Sequence, residues 1–233
     1  MKLLSLLLAL GLSFSALAQQ PNSLTTEEEK AGWRLLFDGK TLNGWRSFGK
    51  QSAPSQGWVV EKGLLHLKPG SKAGDIITTD KFEEFELEWD WRIAPKANNG
   101  LKYFILEERK QAIGHEYQMI DDSTAPQRKH LTASFYDVLP PSTSVKPNPP
   151  GEWNTSRILV QGKTVTHWLN REKALEYTFG DVDLKKALAM SKFKDVAGFG
   201  ERQKGHILLT DHNDEVWYRS IKIRDLSGKA PAK

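Results

Sequence analysis

From Gly32 onward, short runs rich in Trp, Val, Ile, Leu, Phe and Tyr alternate with turn signals, the spacing of a sandwich of two antiparallel sheets. In FELEWDWRI, residues 85–93, Leu87, Trp89, Trp91 and Ile93 point one way and Glu86, Glu88, Asp90 and Arg92 the other. EYQMI places Glu116, Gln118 and Ile120 on one face, with Tyr117 and Met119 opposite. THWLN sets Val165, His167 and Leu169 against Thr166, Trp168 and Asn170. Turns fall at Gly63, Asn98-Asn99-Gly100, Gly162 and Asn213-Asp214. One segment reads as helix, DVDLKKALAMSKF, capped by Asp181 or Asp183. A long loop at 139–153, LPPSTSVKPNPPGEW, holds five prolines and is a candidate wall beside a binding site.

The first residues change the picture of where the chain works. Lys2, the apolar run Leu3–Leu12 and Ala16-Leu17-Ala18 have the form of a secretory signal cut after Ala18, and the run is too short for a membrane span. Residues 1–18 are therefore expected as a signal peptide, 19–30 as a flexible polar leader, 31–227 as the folded domain and 228–233 as a tail. Export to a periplasm or beyond follows as an expectation. The chain has no cysteine, so an ordinary core must hold it and a lipid anchor on cysteine is excluded. Its net charge of +4 includes Lys2, and basic residues are interspersed with acids, which gives nucleic-acid binding no footing.

Candidate chemistry narrows by elimination. None of the six histidines forms an H-x-H or H-E-x-x-H pair, and P-loop, G-x-G-x-x-G and G-x-S-x-G patterns are absent. Glu86, Glu88 and Asp90 repeat at two-residue spacing, as the carboxylates of some jelly-roll glycosidases do, but in the order E-x-E-x-D and early in the chain. Trp153 has no core periodicity, so its indole is available to stack on a sugar ring.

A wider set of motifs occurs in order: FDGKTLNGW, FELEWDWRI with NNGLKYF, GHEYQMIDD, SFYDV, GEWNTSRILVQG, HWLN and HILLTDHNDEVWYRSIKIRDL. Together they resemble the 3-keto-disaccharide hydrolase family over essentially the whole mature domain. The resemblance implies a concanavalin A-like jelly roll, which with the strand and helix readings above makes an all-β sandwich of two antiparallel sheets with one short helix. It also implies action on glycosides oxidised at C3, downstream of a separate sugar 3-oxidoreductase. Asn99, Arg171, Thr210 and Asn213 depart from the family's habitual residues, which leaves substrate preference open.

A C3 ketone acidifies the C2 proton, so the implied reaction is C2 deprotonation, expulsion of the C1 substituent and hydration. It needs a base, a donor or cation at the enolate oxygen, and an acid for the leaving group. Glu116 is the candidate base or metal ligand, Lys102 the cation and His167 the acid. Gln118 would position the sugar, with Glu88, Tyr136, Trp153 and His212 as the surrounding wall. A divalent metal is a candidate Lewis acid with no ligand set assigned. A non-catalytic carbohydrate-binding domain is the alternative, and a glycosidase using Glu86, Glu88 or Asp90 a third reading.

Overall fold

A computed structural model describes residues 19–228, so the signal reading of 1–18 and most of the 228–233 tail lie outside the described residues. Among the described residues thirteen strands form the two expected antiparallel sheets of a jelly-roll sandwich. The smaller sheet runs β2 (Trp45–Ser47), β5 (Ile76–Thr78), β12 (His206–Leu209), β7 (Asn98–Ile105), β8 (His115–Ile120). The larger runs β11 (Glu172–Thr178), β10 (Thr164–Leu169), β9 (Asn154–Gln161), β6 (Phe85–Ile93), β13 (Val216–Asp225), β4 (Leu64–Leu67), β3 (Trp58–Glu61), and β1 (Trp33–Leu35) also pairs with β13.

Alternation decides what enters the space between the sheets. Leu87, Trp89, Trp91 and Ile93 of β6 meet Leu101, Tyr103, Tyr117 and Met119 of β7 and β8, all buried. Burying such side chains stabilises by roughly 1.5–3 kcal/mol each, which is how a chain without cysteine holds together. β7 breaks its alternation at Phe104, a non-glycine residue at φ 61. The bulge turns both Tyr103 and Phe104 into the core and shifts the β7–β12 register between His206 and Leu208. Gly205 makes room for it: a Cβ there would meet the Phe104 carbonyl carbon at 2.6 Å.

Two expectations need correction. The expected helix forms as α2 (Val182–Ala189), with the Asp181 side chain accepting from the Asp183 N–H. A second short helix, α1 (Thr26–Lys30), lies in the segment expected to be a flexible leader. Thr25 and Glu28 close a capping box, and Lys222 donates to Glu28 at 2.6 Å. The Asn22 amide donates to the Gly63 carbonyl and accepts from the Ser220 N–H, both at 2.8 Å. The leader is polar because it docks through hydrogen bonds and ion pairs onto the polar face of the larger sheet.

Candidate active site

β7 and β8 pair with Lys102 opposite Glu116 and Gly100 opposite Gln118, and alternation turns these four positions away from the core. The side chains of Lys102, Glu116 and Gln118 therefore share one outer face of the smaller sheet. Lys102 Nζ lies 3.8 Å from Glu116 Oε2 and donates to the Ala112 carbonyl at 3.2 Å. The Gln118 amide donates to Asn98 Oδ1 at 3.0 Å, which fixes its orientation. Glu116 and Gln118 are 5% and 2% exposed, so both side chains are largely withdrawn from solvent.

The chain after β8 returns along the edge of this site. Ala133 N–H donates to the Gln118 carbonyl and Tyr136 N–H to the Glu116 carbonyl, so residues 133–136 run along the free edge of β8. Tyr136 packs against His130, tilted by 32° with 4.9 Å between centroids, and Lys192 Nζ stands 4.4 Å from its ring centroid. Burial, then the nearby charges of Glu116 and Asp137, raise the Tyr136 phenol above its ordinary value and keep it protonated.

Gly100 had no place among the candidates, yet it gives the carboxylate its seat. A Cβ at Gly100 would lie 2.9 Å from Glu116 Cδ and 3.0 Å from Cγ, and closer still to Oε1. Glu116 thus leans across the strand into the space that glycine leaves. A lone glycine inside an alternating strand is the signal that points to such a close approach. Thr210 departs from the family pattern but does not face outward as a lost ligand. Its hydroxyl accepts from the Gly100 N–H at 2.8 Å and donates to the Gly100 carbonyl at 3.2 Å, bracing the same residue.

The other candidates separate. His167 belongs to the interior between the sheets: it is fully buried, and Nδ1 donates to the Ala133 carbonyl at 3.0 Å. Because a carbonyl only accepts, Nε2 must accept from the Tyr103 hydroxyl at 2.9 Å. The relay continues through the Tyr177 hydroxyl to His115 Nδ1. Burial lowers the His167 pKa to about 4, so the ring is neutral at pH 7 and away from the outer face where an acid would be needed.

Glu88 and Trp153 sit with the larger sheet, on its outer side. Glu88 accepts an ion pair from Lys222 at 2.8 Å, and the Trp153 ring is occupied by the guanidinium groups of Arg219 and Arg92, at 4.1 and 5.1 Å from its centroid. His212 is exposed in the turn after β12, two residues past Thr210. The proline-rich loop closes a cavity of about 340 Å³ floored by Trp91, Ile93, Ile120 and Leu131.

Among the described residues no group of three or more His, Asp or Glu converges as a metal cage. Glu116 has an ammonium ion rather than a second acid as its cross-strand neighbour, so these residues do not fit a resident divalent cation. No helix among the described residues is long and apolar enough to cross a membrane.

A jelly-roll sandwich that holds a shielded acid, an ammonium ion and a tethered amide on one sheet face has the build of a carbohydrate-active hydrolase or lyase. Comparison with known proteins makes this specific. Residues 32–224 match the model of the 3-keto-alpha-glucoside-1,2-lyase-like domain, and the chain belongs to that family. It is 34% identical, over 94% of its own length and 87% of the relative's, to a 3-keto-disaccharide hydrolase of Bacteroides thetaiotaomicron. A crystal structure of a candidate glycosyl hydrolase from Parabacteroides distasonis superposes with a TM-score of 0.80 at 33% identity, covering 89% of this chain and all of that one. A second such protein from the same organism gives 0.64 at 25% identity, covering 83% and 99%.

Proposed function

We propose that this enzyme cleaves 3-keto-glycosides, 3-keto-disaccharides among them, by elimination and hydration on the outer face of the smaller sheet. The observation that carries the reading is the seat of Glu116, held over Gly100 beside Lys102 and screened from water. A carboxylate in such a seat is a suitable base for a C2 proton made acidic by the neighbouring ketone. Lys102 faces the oxygen that gains charge as the enolate forms, and Gln118, tethered by Asn98, orients the sugar. Collapse of the enolate forms the C1–C2 double bond and breaks the C1–O bond. Tyr136 takes the acid role first assigned to His167, because its backbone pairs with Glu116 at the edge of this face and its phenol stays protonated, while His167 is buried between the sheets. Water then adds, hydroxyl to C1 and hydrogen to C2, giving net hydrolysis.

On this reading the ketone is supplied by a separate sugar 3-oxidoreductase acting upstream. Export of the mature chain rests on the form of residues 1–18. The test is product release from a 3-keto-disaccharide beside its unoxidised parent. Only the keto sugar should be cleaved, and Glu116→Gln should lower kcat by at least about 10²-fold. Undiminished turnover by that variant would remove Glu116 as the base.

A further inference from the structure

The outer face of the larger sheet carries a second polar site that the reaction does not use. Two adjoining cavities, of about 400 and 140 Å³, share Glu88, Thr155 and Arg171. The larger is closed on one side by the docked leader at Gln19, Gln20 and Ser23, and the smaller by Trp168 and Arg157.

Each acid of this groove already has a cation beside it. Glu88 and Glu28 share Lys222 at 2.8 and 2.6 Å, and Asp90 accepts from Arg219 at 3.1 Å and from the Thr155 hydroxyl at 2.7 Å. Arg171 differs: among the described residues no acid pairs with it.

Arg171 also sits in a costly conformation. Asn170 and Arg171 form the two-residue turn between β10 and β11, at φ 49 and 73. Such a turn favours Asn-Gly, because a side chain at positive φ is strained. Asn170 fits and locks the hairpin to β9: its Oδ1 accepts from the Thr155 N–H at 3.0 Å and its Nδ2 donates to Asn154 Oδ1 at 2.9 Å. Among the described residues Arg171 gains no side-chain hydrogen bond in return, yet it lines both cavities. Strain held without a structural partner is characteristic of functional positions.

We propose that this groove binds a saccharide bearing a carboxylate, with the Arg171 guanidinium forking onto the carboxylate and the Trp168 indole beside the sugar ring. A guanidinium pairs with a planar carboxylate in two parallel hydrogen bonds, and an indole edge or face takes the apolar C–H surface of a pyranose. Arg157 lies 4.6 Å from the Trp168 ring centroid and holds that ring in place. The site is separate from Glu116, on the opposite sheet, and would retain the enzyme on acidic glycans. Only the choice of a carbohydrate ligand rests on the proposed reaction.

Calorimetric titration of the full mature chain carrying Glu116→Gln, with a trigalacturonate oligosaccharide and with neutral cellotriose, tests this. Saturable binding of the uronate, at least tenfold tighter than of cellotriose and weakened by salt, is expected. Arg171→Gly and Arg171→Gln should each weaken it at least tenfold. Arg171→Gly should also melt no lower than its parent, and by about 2–4 °C higher if the strain is released, so its loss of binding would not be unfolding. Absence of uronate binding, equal binding of cellotriose, or undiminished affinity in both variants would overturn the proposal. Turnover of a 3-keto-disaccharide by the chain with Glu116 intact is read separately. Its absence would sink the proposed reaction and leave the titration result standing.

Discussion

Replacing Gly100 with alanine probes the site through a single methyl group. Gly100 lies within β7 and its backbone is ordinary strand, so alanine brings no φ penalty. Its Cβ would stand 2.9 Å from Glu116 Cδ and 3.0 Å from Cγ, whereas ordinary contact begins near 3.4 Å, and the overlap with Oε1 is larger. The blocking atoms belong to the end of a flexible side chain, so Glu116 can swing away while the strands stay paired. Relieving the overlap moves the carboxylate by about 1 Å, and a displacement of that size in a reacting group costs about 10²-fold in rate, or about 2.7 kcal/mol of barrier. Stability should change by about 1 kcal/mol or less, because alanine restricts the unfolded chain while the Lys102–Glu116 pair loosens. The assay is kcat for release of product from a 3-keto-disaccharide, beside a urea midpoint for each protein. A Gly100→Ala enzyme that keeps kcat within threefold of its parent would refute the assignment of this seat to the base.

Two further outcomes follow from buried ionisable groups. His167 titrates near 4 in the fold and near 6.5 when unfolded, so its contribution is complete above pH 6.5 and is lost as pH falls toward 4. The loss should be on the order of 3 kcal/mol, with His115 acting in the same direction, and His167→Gln should flatten a plot of urea midpoint against pH over that window. Glu107 is held down to about 2, chiefly by its hydrogen bonds to Arg46, so its contribution is present above pH 4.5 and is lost as pH falls through 2. Glu107→Gln strips the partner from the largely buried Arg46 and should cost about 2 kcal/mol at pH 7 in a urea titration. That is less than for a fully buried pair, because 26% of the Glu107 side chain remains exposed.

Much of this molecule was legible in one dimension because a strand repeats every two residues. The alternation in FELEWDWRI and EYQMI correctly divided core from outer face, and of the two cap candidates, Asp181 and Asp183, the structure has Asp181 at the start of the longer α-helix among the described residues. The same alternation grouped His167 with Val165 and Leu169, on the face that proved to be core, even as the reaction chemistry nominated it as an acid. The leader's Thr25-x-x-Glu28 capping box was also there to be read, but its docking depended on Lys222, nearly two hundred residues away.

What period two leaves open is which sheet a strand joins and which residue stands opposite. Glu88 and Glu116 each point outward from their own strand, and only the strand order puts them on opposite sides of the sandwich. Only pairing register sets Lys102 against Glu116, and only the three-dimensional path of its side chain carries that carboxylate over Gly100. Sequence therefore determined the faces and the family. Tertiary structure decided which outward-facing residues share a site, because strand partners are chosen by long-range packing that local alternation does not encode.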